Sequence, residues 1–331
     1  MKKILQQLIH HEPLEKKQAR NVLIAISEGT YPPSQIAAFI TVYMMRNITL
    51  DELEGFRDAL LDLCIQVPFK GYDTIDLCGT GGDGKNTFNI STLASFVTAG
   101  AGVPVTKHGN YGVSSISGSS NVMEQLGIRF SNDPDYLKKC LDTAGIAILH
   151  APLFHPAMKK VGPIRKELGV KTFFNMLGPM VNPAFPKHQL VGVFSLELAR
   201  LYGYLYQKGK KNYTILHALD GYDEVSLTGP VKRISNTFDD MLLPSDFHAN
   251  RLTPEALYGG STIQESAEIF TTILQGNGTT AQNQVVCANA ALAIATATSY
   301  PLEDALAKAQ ASLHDRKAWN ALQTLQKLGT S

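Results

Sequence analysis

A short apolar strand that runs directly into a glycine-rich loop is the feature that most constrains the fold of this chain. Residues 73–78 predict the strand, and the loop Gly79-Thr80-Gly81-Gly82-Asp83-Gly84 follows it. A helix is predicted over residues 91–99 soon afterwards. Such a strand–loop–helix unit is typical of α/β proteins with a parallel sheet, in which ligands bind beyond the carboxyl ends of the strands.

The same alternation continues along the chain. Further strands are predicted, mostly separated by helical segments, over residues 103–106, 146–149, 190–194 and 213–218. We therefore expect an α/β fold with a doubly wound, mostly parallel sheet over residues 73–331. The apolar stretch 285–298 contains Asn289 and is shorter than the roughly 20 residues that span a membrane, so it predicts a buried helix.

The residues before this region predict helices alone. Two helices are expected over residues 13–28 and 32–46. A third begins at the pattern Thr49-x-x-Glu52, which is typical of a capping box, and ends at Val67-Pro68. The sequence thus predicts a small N-terminal all-helical domain over residues 1–67, joined by helical segments from about 160–180.

The charge balance argues against large polyanionic partners. The chain of 331 residues has 30 Lys and Arg against 29 Asp and Glu, a net charge of +1, so we expect neither nucleic acid nor a membrane surface as a partner. Its four cysteines show no CxxC spacing, and the opening residues show no signal peptide. A cytoplasmic protein is therefore expected, with any bound anion held by local groups.

The glycine loop matches two general phosphate-binding patterns, both imperfectly. It satisfies G-x-G-x-x-G, but the acidic residue that should follow about 20 residues later to hold a ribose is absent, since no Asp or Glu occurs between residues 84 and 123. It also approaches the P-loop pattern with Gly79, Gly84 and Lys85, but Asn86 stands where a hydroxyl is needed.

A third interpretation uses the whole segment as a phosphate site. The loop glycines let backbone N–H groups approach an anion, and the helix N-terminus at residues 89–92 adds further N–H groups and its dipole. Lys107 adds a positive charge, and the serines of residues 114–120 add hydroxyl donors. Tight turns alone would also explain glycines and serines, but the missing acids favour an anion site.

Several motifs together identify a family. They are GTGGDGKNTFNIST, KHGN, SSISGS, RKELGVKTFFNMLGPMVNP and GYDEVSLTGP, and they resemble the anthranilate phosphoribosyltransferase family over nearly the whole chain. The resemblance implies a small helical domain beside a larger α/β domain. It also implies transfer of the phosphoribosyl group of 5-phosphoribosyl 1-pyrophosphate (PRPP) to the amine of anthranilate, in tryptophan biosynthesis. The implied cofactor is magnesium, as two ions.

The resemblance assigns PRPP to the glycine loop, the helix after it and the segments that follow the next strand. The implied PRPP-binding residues are Gly79, Gly82, Asp83, Thr87, Asn89, Ile90, Ser91, Thr92, Lys107, His108, Gly109, Asn110, Ser114, Ser115 and Ser119. Asp83 is the least obvious of them, because a carboxylate repels phosphate. It suits a position near the ribose or a metal-bound water, or it stabilises a turn.

The resemblance also assigns an acceptor site and a metal site. The implied anthranilate-binding residues are Gly79, His108, Asn110, His155, Arg165 and Pro179, and the implied magnesium ligands are Ser91, Asp223 and Glu224. A guanidinium fork suits a carboxylate, and hard oxygen ligands suit magnesium. Taken singly, these residues have ordinary alternatives: a solvated helix charge for Arg165, hydrogen-bonded core residues for the histidines, a helix terminator for Pro179 and surface charges for the carboxylates.

Two departures from the family pattern occur near the KHGN motif. Tyr111-Gly112 stands where Arg-Ala is usual, and Ser120-Asn121 stands where Ala-Asp is usual. They put the geometry of this loop in question without changing the expected reaction. The family also pairs through its helical domain, so the apolar run with Phe39, Tyr43, Met44 and Met45 predicts a homodimer.

Two other functions were weighed against the expected one. A nucleoside phosphorylase of the same fold is disfavoured by Asp223-Glu224 and by the motif of residues 175–183. A related protein that binds nucleic acid would need a basic face and would have lost Asn110 and Arg165. The expected reaction is dissociative, with an uncharged aromatic amine that needs no strong base to attack.

Overall fold

The computed structural model describes residues 1–112 and 116–330. Its helices are α1 Lys2–Ile9, α2 Lys16–Ser27, α3 Pro33–Met45, α4 Leu50–Leu63, α5 Ile90–Gly100, α6 Ser119–Gln125, α7 Pro134–Ala144, α8 Ala151–Phe154, α9 Gly162–Leu168, α10 Leu196–Gln207, α11 Ile263–Leu274, α12 Thr280–Ala297, α13 Leu302–His314 and α14 Lys317–Thr330. Short 3₁₀ turns are Pro156–Lys159, Phe173–Met176, Gly178–Met180, Pro244–Phe247 and Pro254–Leu257. The strands are β1 Ile75–Gly79, β2 Val105–Gly109, β3 Ile146–His150, β4 His188–Gly192, β5 Asn212–Ala218, β6 Val231–Ser235 and β7 Asp239–Leu242.

The strands form one sheet in the order β3-β2-β1-β4-β5-β6-β7. The first five are parallel, whereas β6 and β7 pair antiparallel at one edge. The doubly wound, mostly parallel α/β fold is therefore confirmed, and each predicted strand is present. Strands β6 and β7 were not predicted, since their polar, partly exposed residues lack the apolar run of a buried strand.

The sheet order fixes where a ligand can bind. From β1 the chain winds outward through β2 and β3, then returns to place β4 on the other side of β1. The loops after β1 and β4 consequently leave in opposite directions, which opens a crevice at their carboxyl ends. Gly79 and Gly192, the last residues of these strands, are register partners in the sheet and lie at the base of this crevice.

The N-terminal region is helical as predicted, with two corrections. The helix expected over 13–28 begins only at Lys16, after Glu15, whose backbone is extended and whose N–H donates to Gln18 Oε1 at 3.0 Å. Helix α1 was not predicted. The capping box at Thr49 is present, and Glu52 is also buried, where it accepts hydrogen bonds from Leu14 N and Tyr43 Oη, each at 2.9 Å.

Two hydrophobic cores lie on opposite faces of the sheet. One includes α5, α7 and α12–α14. The other combines the N-terminal helices with α9, three of the 3₁₀ turns, α10 and the side chains of β4 and β5 that face them. Phe173 joins these parts, with its ring 4.8 Å from that of Phe56 and 6.1 Å from that of Phe39. The division into residues 1–67 and 73–331 stays a prediction.

The apolar stretch 285–298 coincides with α12 up to Ala297, and residues 285–294 of this helix are all buried. In the described ranges no helix has the length and apolarity that crossing a membrane requires. The same core holds the thiols of Cys140 and Cys287, and all four cysteines are free.

Candidate active site

A cavity of about 290 Å³ opens at the carboxyl ends of the strands, at the crevice between β1 and β4. Most of the predicted site residues line it together: Gly79, Gly82, Asp83, Thr87, Asn89, Ile90, Ser91, Thr92, Lys107, His108, Gly109, Asn110, Ser119, Arg165, Pro179, Asp223 and Glu224. Ser114 and Ser115 fall outside the described residues. His155 does not line this cavity.

The loop after β1 owes its path to glycine. Gly81, Gly82 and Gly84 adopt φ values of +63°, +75° and +75°, a region that side chains disfavour. At Gly79 a Cβ would overlap the Asp223 carboxylate, so the strand end and that side chain can approach only because no side chain intervenes. Asp83 accepts a hydrogen bond from Lys85 N at 3.0 Å, which shows that it stabilises the turn.

The paired carboxylates hold the loop and the helix start together. Asp223 Oδ2 accepts from Gly81 N at 2.7 Å, and Glu224 Oε1 accepts from Ser91 N at 2.8 Å. Burial raises the pKa of Asp223 to about 7, with the charge of Asp83 as the next cause. Burial, followed by the charge of Asp223, raises the pKa of Glu224 well above its usual range.

This carboxylate pair fits a bound cation. Among the described residues, no lysine or arginine forms an ion pair with Asp223 or Glu224, whose hydrogen-bond partners are backbone N–H groups. Buried negative charge without a partner is costly, and a hard cation relieves that cost. In the same ranges there is no cluster of three acidic, histidine or cysteine ligands. Any cation bound here must therefore keep waters or substrate oxygens as further ligands.

Lys107 and His108 bring polar groups to the floor of the cavity from β2. The buried Lys107 ammonium donates one hydrogen bond to Leu77 O at 2.6 Å, and an ammonium has three such donors. His108 Nδ1 lies 3.1 Å from Gly178 O, and since a carbonyl can only accept, Nδ1 carries the proton. Burial lowers the pKa of His108 to about 4, so the ring is neutral near pH 7, with Nε2 as an acceptor.

His155 lies behind His108 rather than at the cavity surface. The two rings are 5.2 Å apart, and His155 is 4 % exposed. Burial lowers the pKa of His155 to about 3. His155 thus supports the His108 ring, whereas the resemblance implied that it flanks the acceptor directly.

Arg165 is a positive group without a negative partner. Its Nη2 donates to Asn175 Oδ1 at 3.1 Å, and the guanidinium lies 5.5 Å from the centre of the Phe174 ring. Its Nε is buried with no hydrogen-bond partner in the described residues, and no carboxylate there pairs with it. Burial lowers the pKa of Arg165 to about 10. Such a group is ready to bind an anion.

Several lining residues were not assigned from the sequence. Phe174, Asn175 and Gly178 line the cavity from the two 3₁₀ turns, although the quoted motif already contained them. Lys171 lies near the glycine loop, where a Cβ on Gly82 would contact its side chain at 2.8 Å. A lone lysine in a loop gives no sequence signal, since its place here depends on the fold.

The two departures after KHGN support each other. Tyr111 Oη donates to Glu124 Oε1 at 3.1 Å, and its ring packs edge-on against His150 at 4.8 Å. Asn121 Oδ1 accepts from Gly112 N at 2.9 Å and from Gly118 N at 3.0 Å. These contacts close the base of the loop, so Tyr111 and Asn121 anchor it to α6 and β3.

Comparison with known proteins agrees with this geometry. Residues 2–64 match the helical bundle domain of the glycosyl transferase family, and residues 71–319 match its a/b domain. Anthranilate phosphoribosyltransferases from Flavobacterium johnsoniae and Flavobacterium psychrophilum are 66% and 67% identical to this chain over 328 residues. The aligned residues cover 99% of this chain and 99% of each of those enzymes.

Solved structures agree as well. The anthranilate phosphoribosyltransferase of Thermus thermophilus superposes with a TM-score of 0.91 at 30% identity, over 99% of both chains. The Saccharomyces cerevisiae enzyme in complex with PRPP and Mg superposes with a TM-score of 0.90 at 25% identity, over 98% of this chain and 96% of that one. The chain belongs to the anthranilate phosphoribosyltransferases, enzymes of the glycosyltransferase family.

Proposed function

We propose that this chain transfers the phosphoribosyl group of PRPP to the amine of anthranilate at the cavity between β1 and β4. One observation carries the proposal. The cavity is lined on one side by the glycine loop and two buried carboxylates, and on the other by a guanidinium; none of these charged groups has an ion pair among the described residues. The loop and the carboxylates suit a phosphorylated donor with its cation, and the guanidinium suits a carboxylated acceptor.

The donor side is assigned to the loop after β1, the start of α5 and the end of β2. Backbone N–H groups of the loop and the helix N-terminus favour the pyrophosphate. Lys107 and Ser119 line the same surface and add donors. Since these groups are fixed before the substrate arrives, they stabilise charge that develops on the leaving pyrophosphate without reorganisation.

Magnesium is assigned to Asp223 and Glu224, with Ser91 as a further oxygen ligand. The yeast relative was solved with PRPP and Mg. Bound magnesium would neutralise charge on the pyrophosphate and so favour its departure. The proposal includes two ions, which a Mn²⁺ titration in the presence of PRPP would count.

The acceptor side is assigned to Arg165, Asn110, His108 and Pro179. The guanidinium holds the carboxylate of anthranilate, and the neutral His108 ring lines the same cavity. The amine is uncharged near neutral pH and has a free electron pair. Positioning against the ribose carbon therefore contributes more than proton removal does.

The reaction is proposed to be dissociative. The bond between the ribose C1 and the pyrophosphate loosens first, positive character builds on the ribose, and the amine nitrogen attacks C1. Pyrophosphate leaves with the bonding electrons, and the amine nitrogen, once bonded to C1, gives one proton to solvent. The negative charge of Asp83, within the glycine loop, would favour the positive ribose.

A fluorescence assay tests the proposal. Anthranilate fluorescence should fall in the presence of enzyme, PRPP and magnesium, and omission of PRPP or addition of a chelator should abolish the change. A matched reaction with a nucleoside and phosphate in place of PRPP and anthranilate separates this function from that of a phosphorylase. Turnover of the nucleoside alone would contradict the proposal.

We also propose a homodimer through the N-terminal helices. In the structure Phe39 and Tyr43 are buried in the helical core, whereas Met44 and Met45 are 45% and 80% exposed. Ile9 on α1 is 61% exposed as well. Light scattering of the purified chain should give twice its mass at micromolar concentration, and Met45→Lys should shift the equilibrium towards monomer. A monomeric wild type would contradict the proposal.

The proposed compartment is the cytoplasm, where thiols stay reduced. Cys64, Cys78, Cys140 and Cys287 are all free in the structure. Fractionation of cells with antibody detection tests this assignment, since recovery outside the cytoplasmic fraction would contradict it.

A further inference from the structure

We propose that Asn289, on α12, is a positioning residue for the carboxylate pair at residues 223–224. The inference rests on the proposed function, because it concerns how the magnesium ligands are held. Asn289 is the one strongly polar side chain within the buried run 285–294 of α12, and it is 3% exposed. A buried amide costs stability unless each of its polar atoms is hydrogen-bonded.

All polar atoms of the Asn289 amide are hydrogen-bonded, and its main partner is Val225, the residue that follows Glu224. Asn289 Oδ1 accepts from Val225 N at 3.0 Å, and its Nδ2 donates to Val225 O at 2.9 Å. The second Nδ2 proton goes to Val285 O at 2.9 Å within α12. The side chain therefore pairs with both backbone groups of Val225 as a neighbouring strand would, although the residues are 64 apart in sequence.

Other contacts fix the same segment from the opposite side. A Cβ on Gly192 would overlap the backbone carbonyl of Asp223, so the end of β4 and the carboxylate segment are in close contact. The backbone of Asp223 thus packs against β4, and the next residues are hydrogen-bonded to α12 through Val225. Because both backbone groups of Val225 are hydrogen-bonded, the backbone of residues 223–225 has little freedom, and the two carboxylates are held in a fixed position.

Little space for water lies beside this amide. The space that Asn289 shares with Asp223, Glu224 and Gly192 measures only about 10 Å³. That is the lower limit for one water molecule. Asn289→Leu keeps the space filled and leaves Val225 N–H and C=O unpaired, whereas Asn289→Ala opens room for a water that can bridge to them. The leucine variant should therefore be the more impaired of the two.

The test measures metal binding directly, with Mn²⁺ as the probe. Mn²⁺ is titrated into the full-length enzyme with saturating PRPP and followed by electron paramagnetic resonance. Groups that orient metal ligands typically contribute about 10- to 100-fold to metal affinity, so Asn289→Leu should weaken Mn²⁺ binding by about that factor, and Asn289→Ala by less. In both Asn289 variants the KM for PRPP should exceed that of wild type at low magnesium and should approach it at high magnesium. The KM for anthranilate should stay unchanged.

Leu292→Ala is the matched control, because Leu292 is 2% exposed on the same helix and carries no polar group. It should lower the melting temperature by circular dichroism at least as much as Asn289→Ala does, yet keep wild-type Mn²⁺ affinity. The inference is overturned if a folded Asn289 variant binds Mn²⁺ like wild type, or if Leu292→Ala loses affinity equally. A wild type that binds no Mn²⁺ with PRPP would instead overturn the magnesium assignment itself. If the leucine variant does not fold, the alanine variant decides.

Discussion

The proposed donor side of the cavity is built largely from backbone at strand ends, whereas the proposed acceptor side is built from side chains of α9, of two 3₁₀ turns and of the end of β2. The proposed donor side uses the loop after β1, whose path depends on glycines with positive φ. The acceptor side depends on Arg165, which Asn175 and Phe174 hold in place. A backbone site tolerates most side-chain changes but not a lost glycine, and a side-chain site behaves in the opposite way.

The largest effect is expected at Asp223 and Glu224, where the donor side depends on side chains and not on the backbone. Asp223→Asn combined with Glu224→Gln removes both proposed carboxylate ligands of the metal, and since a metal contributes several kcal/mol of charge stabilisation, turnover should fall by at least about a thousandfold. The fold should survive, because the variant removes buried charge that lacks an ionic partner. Steady-state turnover and thermal melting measure the two effects. Wild-type turnover at low magnesium would end the assignment.

The second prediction separates the two sides. A charge-assisted hydrogen bond contributes roughly 1.5–3 kcal/mol, so Arg165→Ala should raise the KM for anthranilate about tenfold to a hundredfold. The KM for PRPP should change much less. Lys107→Ala should show the reverse selectivity, because Lys107 lies on the donor side. Arg165→Lys should recover only part of the loss, since an ammonium lacks the planar fork.

Kinetics with each substrate varied in turn decide this prediction. If Arg165→Ala weakened PRPP binding and spared anthranilate, the two sides would be assigned the wrong way round. If both constants rose equally in both variants, the comparison itself would fail, since the cavity would then respond as a single unit.

The third prediction concerns Asn175, which accepts hydrogen bonds from Arg165 Nη2 at 3.1 Å and Thr172 N at 3.3 Å. Loss of one neutral partner costs about 0.5–1.5 kcal/mol, so Asn175→Ala should raise the KM for anthranilate by roughly twofold to tenfold. Asn175→Asp should be worse although it is isosteric, because its carboxylate would neutralise Arg165. If Asn175→Asp bound anthranilate with wild-type affinity, a carboxylate beside Arg165 would not weaken its attraction for the acceptor, and the proposed role of Asn175 would be wrong.

The same contrast explains what the sequence could predict. The glycine loop, the helix after it and the carboxylate pair are contiguous motifs that follow strands, so the sequence could predict that they lie near one another, and they line one cavity. Their roles stay predictions. Asn175 reaches the cavity, and Lys171 reaches the glycine loop, only because the fold brings the segment after α9 to this edge of the sheet. His155 was assigned to the acceptor from its motif, but burial beside His108 is a property of the tertiary packing.

The smallest effect is expected at Glu54, where the helical region that supports the acceptor side meets the α/β region. Glu54 on α4 pairs with Lys208, which follows α10, at 2.7 Å and with Lys16 at 3.0 Å. Burial acts to raise the pKa of this carboxyl, but the hydrogen bonds from Lys208 and Lys16 outweigh it and hold the pKa at about 2. The depressed pKa means that the ionised form stabilises the folded state.

This contribution is present at pH values above the ordinary value of 4.5 and is lost as the pH falls through about 2. Glu54→Gln should therefore lower the free energy of unfolding at pH 7 by about 1 kcal/mol, a modest value because both lysines are about half exposed and water screens them. The difference from wild type should shrink between pH 4.5 and 2 in urea unfolding series. Glu28→Gln, at an exposed glutamate without an ion pair among the described residues, is the matched control. A difference that stays constant down to pH 2 would show that the ion pairs do not link the two regions.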